Sequence, residues 1–319
     1  MRRNITGLSC TAQEGKTPHA IWRRTPRPAF SLVEVLVVLA ILGVLFGLLL
    51  SAVQRVRSAA ARMSCTNNLK QLALAAHSYH DANNGLPIGH RSLFQADRRP
   101  FTGWTLDILP YIESNTLYVE AMADFKRQPL AFAPPHRHLS TPYKPYSCPA
   151  DGRMATAQTS TRTNSVIALT SYLGVAGKDC ASKDGVFAQD VRFTLLAITD
   201  GTSNTLMIGE RPPSADFQFG WWYAGVGQQL SGSADLILGV REPNLQVIVS
   251  GSKCGPGAYP FRESRFDDPC GMFHFWSPHI GGANFAFADG SVRLLRYEAS
   301  GVMPALASRA GGEAVAVPE

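Results

Sequence analysis

The sequence lacks the short motifs that mark common enzymes and metal-binding modules. It contains no HExxH, GxSxG, GxxxxGK[ST] or GxGxxG pattern, so the usual sequence evidence for a zinc peptidase, a serine hydrolase, a P-loop NTPase or a dinucleotide-binding protein is missing. None of the six cysteines forms a CxxC pair, which argues against a zinc knuckle or a thioredoxin-like site. We therefore expect no enzymatic activity, no cofactor, and no catalytic or metal-binding residues.

Charge is also scarce, and it is unevenly distributed. Only 17% of the residues are charged, and the net charge is +6. Residues 1–29 carry +5 of this charge, because one acidic residue, Glu14, stands against six basic ones: Arg2, Arg3, Lys16, Arg23, Arg24 and Arg27. The rest of the chain is therefore nearly neutral, which removes the support for a basic nucleic-acid-binding surface. We expect no nucleic-acid partner.

A long apolar segment follows this basic leader, and Glu34 is the only charged residue between Arg27 and Arg55. The 24 residues from 30 to 53 would make a helix of about 36 Å, which is long enough to cross ~30 Å of hydrocarbon. A carboxylate at bilayer depth costs at least ~2.5 kcal/mol, so Glu34 is expected to have a partner and a function.

Three interpretations of this segment compete. A cleaved secretory signal would use a small-residue site such as the SAAA at residues 58–61, but its apolar core is normally shorter, and Arg55 and Arg57 intervene. A plain signal anchor accounts for the hydrophobicity and leaves Glu34 unexplained. A processed pilin-type N-terminus accounts for both.

Beyond residue 53 the pattern becomes amphipathic. Leu69, Leu72, Ala76 and Tyr79 recur at intervals of three and four, the spacing of a helix with one buried face. The NNGLP at residues 83–87 is a helix stop signal. We predict one continuous helix from about residue 32 to 81, with a membrane span at 30–53 and an amphipathic stalk at 54–84.

Residues 85–299 predict a single β-rich, turn-rich head. The segments SVIALTSYLGVAG (165–177), TLMIGE (205–210) and GWWYAGVG (220–227) resemble strands. The clearest hairpin is NFAFADGSVRLL (284–295), in which Asp-Gly forms the turn between two alternating strands. The tail, 300–319, shows no periodicity and is expected to be flexible. The predicted class is α+β, with the long helix packed on the head.

The stretch AFSLVEVLVVLAILGVL resembles the N-terminus of type IV pilins and type II secretion pseudopilins. The resemblance implies that prepilin peptidase cuts between Ala29 and Phe30 and that Phe30 is then N-methylated. Glu34, the fifth residue of the mature chain, would meet the N-terminal amine of a neighbouring subunit during assembly. The chain departs from the pattern in having Ala29 where the family normally has glycine, and in the length of its leader.

Three further segments extend the resemblance: CTNNLKQLALAAHSYHDANNGLP, ITDGTSNTLMIGERP and FHFWSPHIGGANFAFADGSVRLL. Together they look like a large family of bacterial prepilin-type proteins, abundant in planctomycetes, whose head has no assigned function. The implied partners are prepilin peptidase/methyltransferase, other pilin-like subunits, an inner-membrane secretion platform and membrane lipid. The implied location is the inner membrane, single-pass, with an extracytoplasmic head. The alternative is a membrane-tethered exported binding or enzymatic domain that uses a pilin-type export sequence.

Several polar residues in the stalk and head have both a functional and a structural interpretation. His77 and His80, three residues apart on a helix beside Asp81, have the spacing of a metal pair; His274 and His279 precede the hairpin. For all of these we favour packing and local hydrogen bonds. A calcium site, as found in some pseudopilins, would use Asp267, Asp268 and Asp289, and a carbohydrate platform would use Trp221, Trp222 and Tyr223. For these residues, too, we favour a structural role over a binding role.

The cysteine count beyond the leader is odd: Cys65, Cys148, Cys180, Cys254 and Cys270. In an exported domain we expect one or two disulfides and a free thiol. Cys254 and Cys270 bracket a short loop and are the best candidates for a pair.

Overall fold

The computed structural model describes residues 31–94, 97–161, 163–245, 254–313 and 315. Contacts within the chain divide it into two compact units, Met1–Val53 and Gln54–Glu319. The helices and strands in chain order are α1 (Leu32–Asn83), α2 (Trp104–Asp107), α3 (Asn115–Arg127), β1 (Gln158–Thr159), β2 (Val166–Ile167), β3 (Tyr172–Gly177), β4 (Leu206–Glu210), β5 (Ile237–Gly239), β6 (Arg241–Pro243), β7 (Ala258–Pro260), β8 (Gly282–Phe287), β9 (Val292–Arg296) and α4 (Met303–Ala307). The predicted α+β class is confirmed.

The described part of the first unit is the beginning of α1, residues 32–53. Its side chains are exposed and apolar on all sides, the pattern of a helix surrounded by lipid rather than by protein. By length and composition, α1 can cross a membrane. The apolar residues therefore form the predicted helix.

In the second unit, the rest of α1 has one buried face. Leu69, Leu72, Ala76 and Tyr79, the residues of the predicted stripe, are all buried, and Cys65 lies on the same face. The helix ends at Asn83, and Asn84 adopts a left-handed φ of 53° as the residue after it. Asparagine tolerates this conformation, which satisfies the last helical carbonyls.

A five-stranded sheet forms the centre of the second unit, in the order β5-β3-β4-β8-β9. Strand β5 runs parallel to β3, and all other neighbours are antiparallel. The β8–β9 hairpin has the predicted turn, in which Gly290 has a φ of 78° that suits glycine. The strands predicted at 205–210 and within 165–177 are likewise confirmed, as β4 and as β2 with β3.

The two faces of this sheet contribute to two separate hydrophobic cores. Ala286 and Ala288 belong to the core that includes the buried face of α1, where small side chains allow the helix to approach the sheet. Phe285 and Phe287 point to the other core, which includes α4. Because successive side chains of a strand point to opposite faces, the alanine face of β8 packs toward α1 and the phenylalanine face packs toward α4.

Two predicted features differ from the structure. The expected flexible tail is wrong for residues 300–313, because α4 buries Met303 and Leu306 in the second core and the Arg309 guanidinium lies 3.7 Å from the Phe193 ring centre. A five-residue helix is too short to produce a periodicity in the sequence. Residues 314 and 316–319 lie outside the described residues.

The segment 220–227 is not a strand, apart from an isolated bridge between Leu169 and Trp221. The buried carboxylate of Asp235 accepts hydrogen bonds from the backbone N–H groups of Gly220, Trp221 and Gly227. These bonds curl the segment around one side chain and use the N–H groups that a strand ladder would need.

Candidate functional site

Glu34 lies in the first turn of α1 and forms both halves of a capping box with Ser31. Its Oε2 atom accepts a hydrogen bond of 2.8 Å from the Ser31 backbone N–H, and its own N–H donates to Ser31 Oγ at 3.2 Å. This arrangement satisfies two of the unpaired donors at a helix start. The S-x-x-E pattern is readable in the sequence, and sequence reasoning missed it.

The capping role does not need the negative charge of Glu34. Glutamine at the same position accepts the same hydrogen bond, as the S-x-x-[EQ] pattern shows. A carboxylate has about four lone-pair positions, so the bond from Ser31 leaves capacity for a further donor. Glu34 thus caps its own helix without using its negative charge, and that charge remains available for a further hydrogen-bond donor. Ala29 and Phe30 lie outside the described residues.

Gly43 and Gly47 form a GxxxG pattern on the same helix. A Cβ atom added to either glycine would meet nothing within 4 Å in the single chain. Such a flat, open strip allows the backbone of another helix to approach closely. Gly43 follows Glu34 by nine residues, about half a turn around the helix, so the two features face different neighbours.

A buried polar cluster lies between α1 and the central sheet, and we call it the disulfide cluster: Cys65, Cys148, Glu210 and His279. Cys65 lies on α1, Cys148 follows a short turn, Glu210 ends β4, and His279 precedes β8. Cys65 and Cys148 form a disulfide with a Cα–Cα distance of 5.4 Å. All four side chains are at most 5% exposed, and their sulfur, oxygen and nitrogen atoms lie within 4.8 Å of one another.

Glu210 is held in this cluster by its neighbour in the sheet. Its Oε2 accepts from the Asn284 backbone N–H at 2.7 Å and from the Asn284 side-chain amide at 3.0 Å, which also donates to Oε1 at 3.1 Å. Strands β4 and β8 are antiparallel neighbours, which brings the two residues side by side. His279 Nε2 lies 3.5 Å from Glu210 Oε1 and 3.7 Å from Cys148 Sγ.

Sequence reasoning singled out His279 but did not connect it with Cys148 or Glu210. The reason is physical: Cys65 and Cys148 are 83 residues apart, and no local pattern specifies which cysteines pair. A carboxylate, an imidazole and two sulfurs are all ligands that Zn²⁺ accepts, but a disulfide supplies no thiolate. In its oxidised form the cluster is therefore a crosslink between α1 and the head.

The other three cysteines among the described residues are Cys254, Cys270 and Cys180. The structure joins Cys254 to Cys270 in a second disulfide, with a Cα–Cα distance of 5.6 Å. Cys180 is free and buried; burial raises the pKa of its thiol to about 12, with the neighbouring Glu242 carboxylate adding to the effect. A thiol that resists ionisation is a poor nucleophile and metal ligand, so Cys180 is structural.

The stalk histidines have separate environments. His80 Nε2 accepts a hydrogen bond from the Leu195 backbone N–H at 3.3 Å, and its Nδ1 lies 3.4 Å from Asp81 Oδ1. His77 is half-buried, and this burial lowers the pKa of its imidazole. The ring nitrogens of His80 are thus used locally, at the end of the stalk.

His274 is fully buried, and both of its ring nitrogens have a neighbour within the chain. Its Nδ1 lies 3.2 Å from the Phe275 carbonyl oxygen, and its Nε2 accepts a hydrogen bond from Arg262 Nε at 3.3 Å. Burial lowers the pKa of His274 to about 4, and the Arg262 charge contributes in the same direction. Protonation would place a second donor opposite Arg262, so this side chain has a packing role.

The three aspartates considered for calcium each have a local partner. Asp267 pairs with Arg265, Asp268 accepts hydrogen bonds from the Cys270 N–H and the Ser264 hydroxyl, and Asp289 accepts from Ser291 in the hairpin turn. Among the described residues, the group of side chains that comes within ligand distance is the disulfide cluster, which contains none of these aspartates.

The three adjacent aromatic residues are buried rather than exposed to solvent. Trp221, Trp222 and Tyr223 are at most 6% exposed. The Trp222 indole N–H donates to the Thr141 carbonyl oxygen at 2.9 Å, and the Trp221 N–H donates to that of Phe217 at 3.0 Å. A carbohydrate platform needs exposed ring faces, so these residues do not provide one.

We expect the protein to lose stability in mild acid because of two buried histidines. Burial lowers the pKa of His90, as it does that of His274, from 6.5 to about 4. A lowered folded-state pKa contributes stability above pH 6.5 that is lost as the pH falls towards 4. Between pH 7.5 and pH 5 we expect a loss of about 2 kcal/mol per histidine, offset by about 1 kcal/mol from buried Asp235, whose pKa is raised to about 6.

Chemical denaturation of the full chain in detergent at the two pH values measures this loss. The variant H274Q, which cannot gain a proton, should show a pH dependence smaller by about 2 kcal/mol. Equal free energies of unfolding at pH 7.5 and pH 5 would show that the histidines are not held neutral.

Two family models match the chain. The prokaryotic N-terminal methylation motif matches residues 26–50, which contain the start of α1 and Glu34. The family described as "Protein of unknown function (DUF1559)" matches residues 54–299, over three quarters of the chain and most of the second unit. The chain matches no curated protein and no solved structure. A prepilin-like N-terminus is thus followed by a stalk and a head that together span the second match, and the chain belongs to the DUF1559 family.

Proposed function

We propose that this protein is a prepilin-like structural subunit of a type II secretion or type IV pilus-like system, rather than an enzyme. It is cut between Ala29 and Phe30, methylated at Phe30, and assembled through α1. The observation that carries this proposal is the coincidence of the methylation motif with the apolar first part of α1, residues 32–53, whose only acidic residue, Glu34, lies in the first turn.

The chemistry of assembly follows from the new N-terminus. Cleavage after Ala29 creates an ammonium group at Phe30, and N-methylation leaves that nitrogen positively charged. In a low-dielectric membrane, an ammonium and a carboxylate attract strongly, and each offsets the desolvation cost of the other. Because Glu34 already caps its own helix through Ser31, its charge is oriented and free to receive the amine of a neighbouring subunit.

The proposed partners and location follow from the same features. The leader is the substrate of a prepilin peptidase/methyltransferase, and α1 contacts lipid, other pilin-like subunits and an inner-membrane secretion platform. The head lies on the extracytoplasmic side of the inner membrane. Two disulfides in the second unit support an extracytoplasmic location of the head, because disulfides persist in oxidising compartments.

Processing is the step to test first. Mass spectrometry and N-terminal sequencing of the protein purified from membranes should give a chain that begins at N-methylated Phe30. The variant A29G, which restores the residue usual at this position, should be processed at least as fast, whereas A29R should accumulate as the uncut precursor.

Two results would contradict the proposal. A chain that begins at Met1 would make the apolar segment a plain anchor, and a chain that begins near Ala61 would make it a secretory signal. Either start would favour the alternative of a tethered or secreted domain, since the mature end would then carry no amine four residues before Glu34.

A further inference from the structure

We propose that, when its Cys65–Cys148 disulfide is reduced, the chain binds one Zn²⁺ ion through Cys65, Cys148, His279 and Glu210. The disulfide and the metal are then alternative crosslinks within the same cluster. This site is independent of how α1 assembles.

The positions of the four side chains suit a tetrahedral ion. On Zn²⁺, with bonds of about 2.3 Å to sulfur and about 2.0–2.1 Å to nitrogen and oxygen, neighbouring ligand atoms lie roughly 3.4–3.8 Å apart. His279 Nε2 lies 3.7 Å from Cys148 Sγ and 3.5 Å from Glu210 Oε1. The distance to Glu210 is too long for a strong hydrogen bond, and both distances fall within the range for two ligands of one ion.

One nitrogen therefore faces both a sulfur and a carboxylate oxygen. Reduction breaks the bond between Cys65 and Cys148 and allows their sulfurs to separate to the spacing of two thiolates on one metal. The four ligand atoms start within 4.8 Å of one another, so side-chain rotation alone brings them to the ion.

The charge of the cluster favours a cation. Glu210 is 1% exposed, and among the described residues its ion-pair partner is His279, with Asn284 supplying only neutral donors. A buried carboxylate is costly without a compensating positive charge. A divalent ion supplies that charge and accepts a lone pair from the His279 imidazole.

The residues around the cluster hold its ligands in place. Asn284 donates two hydrogen bonds to Oε2 of Glu210 and one to Oε1, so Oε1, the oxygen that faces His279, retains a lone pair for a metal. The His279 backbone N–H donates to Ser277 Oγ at 3.0 Å, and Ser277 in turn donates to the Gly282 carbonyl oxygen at 2.8 Å. Such supporting hydrogen bonds are typical of protein metal sites.

The redox step is a thiol–disulfide exchange with a dithiol. The dithiol transfers two electrons to the Cys65–Cys148 bond and itself becomes a disulfide, while Cys65 and Cys148 become two thiols. Binding of Zn²⁺ then displaces the two thiol protons. Exchange with a disulfide reverses the sequence: the two cysteines pass two electrons to that disulfide, which becomes two thiols, while the ion leaves and the Cys65–Cys148 bond reforms. Because a newly made chain is reduced, the metal would link α1 to the head before the disulfide does.

Metal binding to the purified full chain in detergent tests the proposal. After reduction with a phosphine and removal of unbound metal, we expect one equivalent of Zn²⁺ by elemental analysis, and none in the oxidised chain. Co²⁺ in place of Zn²⁺ should give thiolate-to-metal charge-transfer bands and the visible absorption of a tetrahedral site. A reduced wild-type chain without these bands overturns the proposal, and this measurement needs no variant.

Variants identify the ligands. C65S and H279A should weaken Zn²⁺ binding at least tenfold, and E210Q should weaken it while leaving the cobalt–thiolate bands present. The matched control is C254S combined with C270S, which removes the other disulfide and should still bind one equivalent. If H279A binds as tightly as the wild type, or if the control loses its metal, the ion is held elsewhere and the assignment is wrong.

A wild-type redox titration provides a further check. Since Zn²⁺ binds only the dithiol form, it must raise the reduced fraction of this pair in a glutathione buffer of fixed composition. Alkylation of free thiols followed by mass spectrometry measures that fraction for Cys65 and Cys148 separately from the other pair. An unchanged fraction at saturating Zn²⁺ would contradict the proposal.

Discussion

Replacement of Glu34 with glutamine should leave membrane insertion intact and abolish most of the co-assembly between subunits. Glutamine retains the capping hydrogen bond from Ser31 and removes only the negative charge. Without that charge, the ammonium group at Phe30 of a neighbouring subunit stays unpaired in a low-dielectric environment. We expect the crosslinked fraction of subunits to fall at least about tenfold, which corresponds to a loss of about 1.4 kcal/mol.

Crosslinking between cysteines introduced into α1, measured in membranes with equal amounts of inserted protein, gives this fraction. The matched control is S31A, which removes one half of the capping box and keeps the charge. It should cost the helix start about 1 kcal/mol and leave assembly largely unchanged. If S31A impairs crosslinking as strongly as E34Q, Glu34 acts through the helix cap, and the proposed pairing with a neighbour fails.

Removal of the Cys65–Cys148 disulfide should destabilise the second unit more than removal of Cys254–Cys270. The first bond closes a loop with a sequence separation of 83 residues, the second one of only 16. By the loss of chain entropy in the unfolded state, the expected contributions are about 4.5 and about 3 kcal/mol. The Cys65–Cys148 bond also ties α1 to a segment of the head, so its loss should loosen the contact between the stalk and the head.

The comparison needs two double variants, C65S with C148S and C254S with C270S, in the full chain in detergent. Chemical denaturation followed by tryptophan fluorescence reports the second unit, because Trp104 and Trp222 are fully buried there. A chelator keeps divalent ions from replacing the crosslink. Equal losses in the two variants would show that the Cys65–Cys148 bond contributes no more than its short-range counterpart.

Local features of the fold could be predicted because each has a local cause. The apolar run specifies a long helix, the spacing of Leu69, Leu72, Ala76 and Tyr79 specifies its buried face, and Asp289-Gly290 specifies the hairpin turn. The short helix α4 was missed because five residues give no periodicity. Residues 220–227 have the composition of a strand, and the sequence does not reveal that Asp235 binds their N–H groups.

The two candidate sites also differ in whether their residues are close together in the sequence. Phe30, Glu34 and the apolar helix lie within one continuous stretch, so the sequence by itself determined the prepilin-like N-terminus. The disulfide cluster draws Cys65, Cys148, Glu210 and His279 from four distant segments, and only the tertiary structure decided that they meet. The physical reason is that the pairing of α1 with the sheet, and of β4 with β8, depends on contacts between residues far apart in the chain. A pattern of neighbours in the sequence carries no information about such contacts.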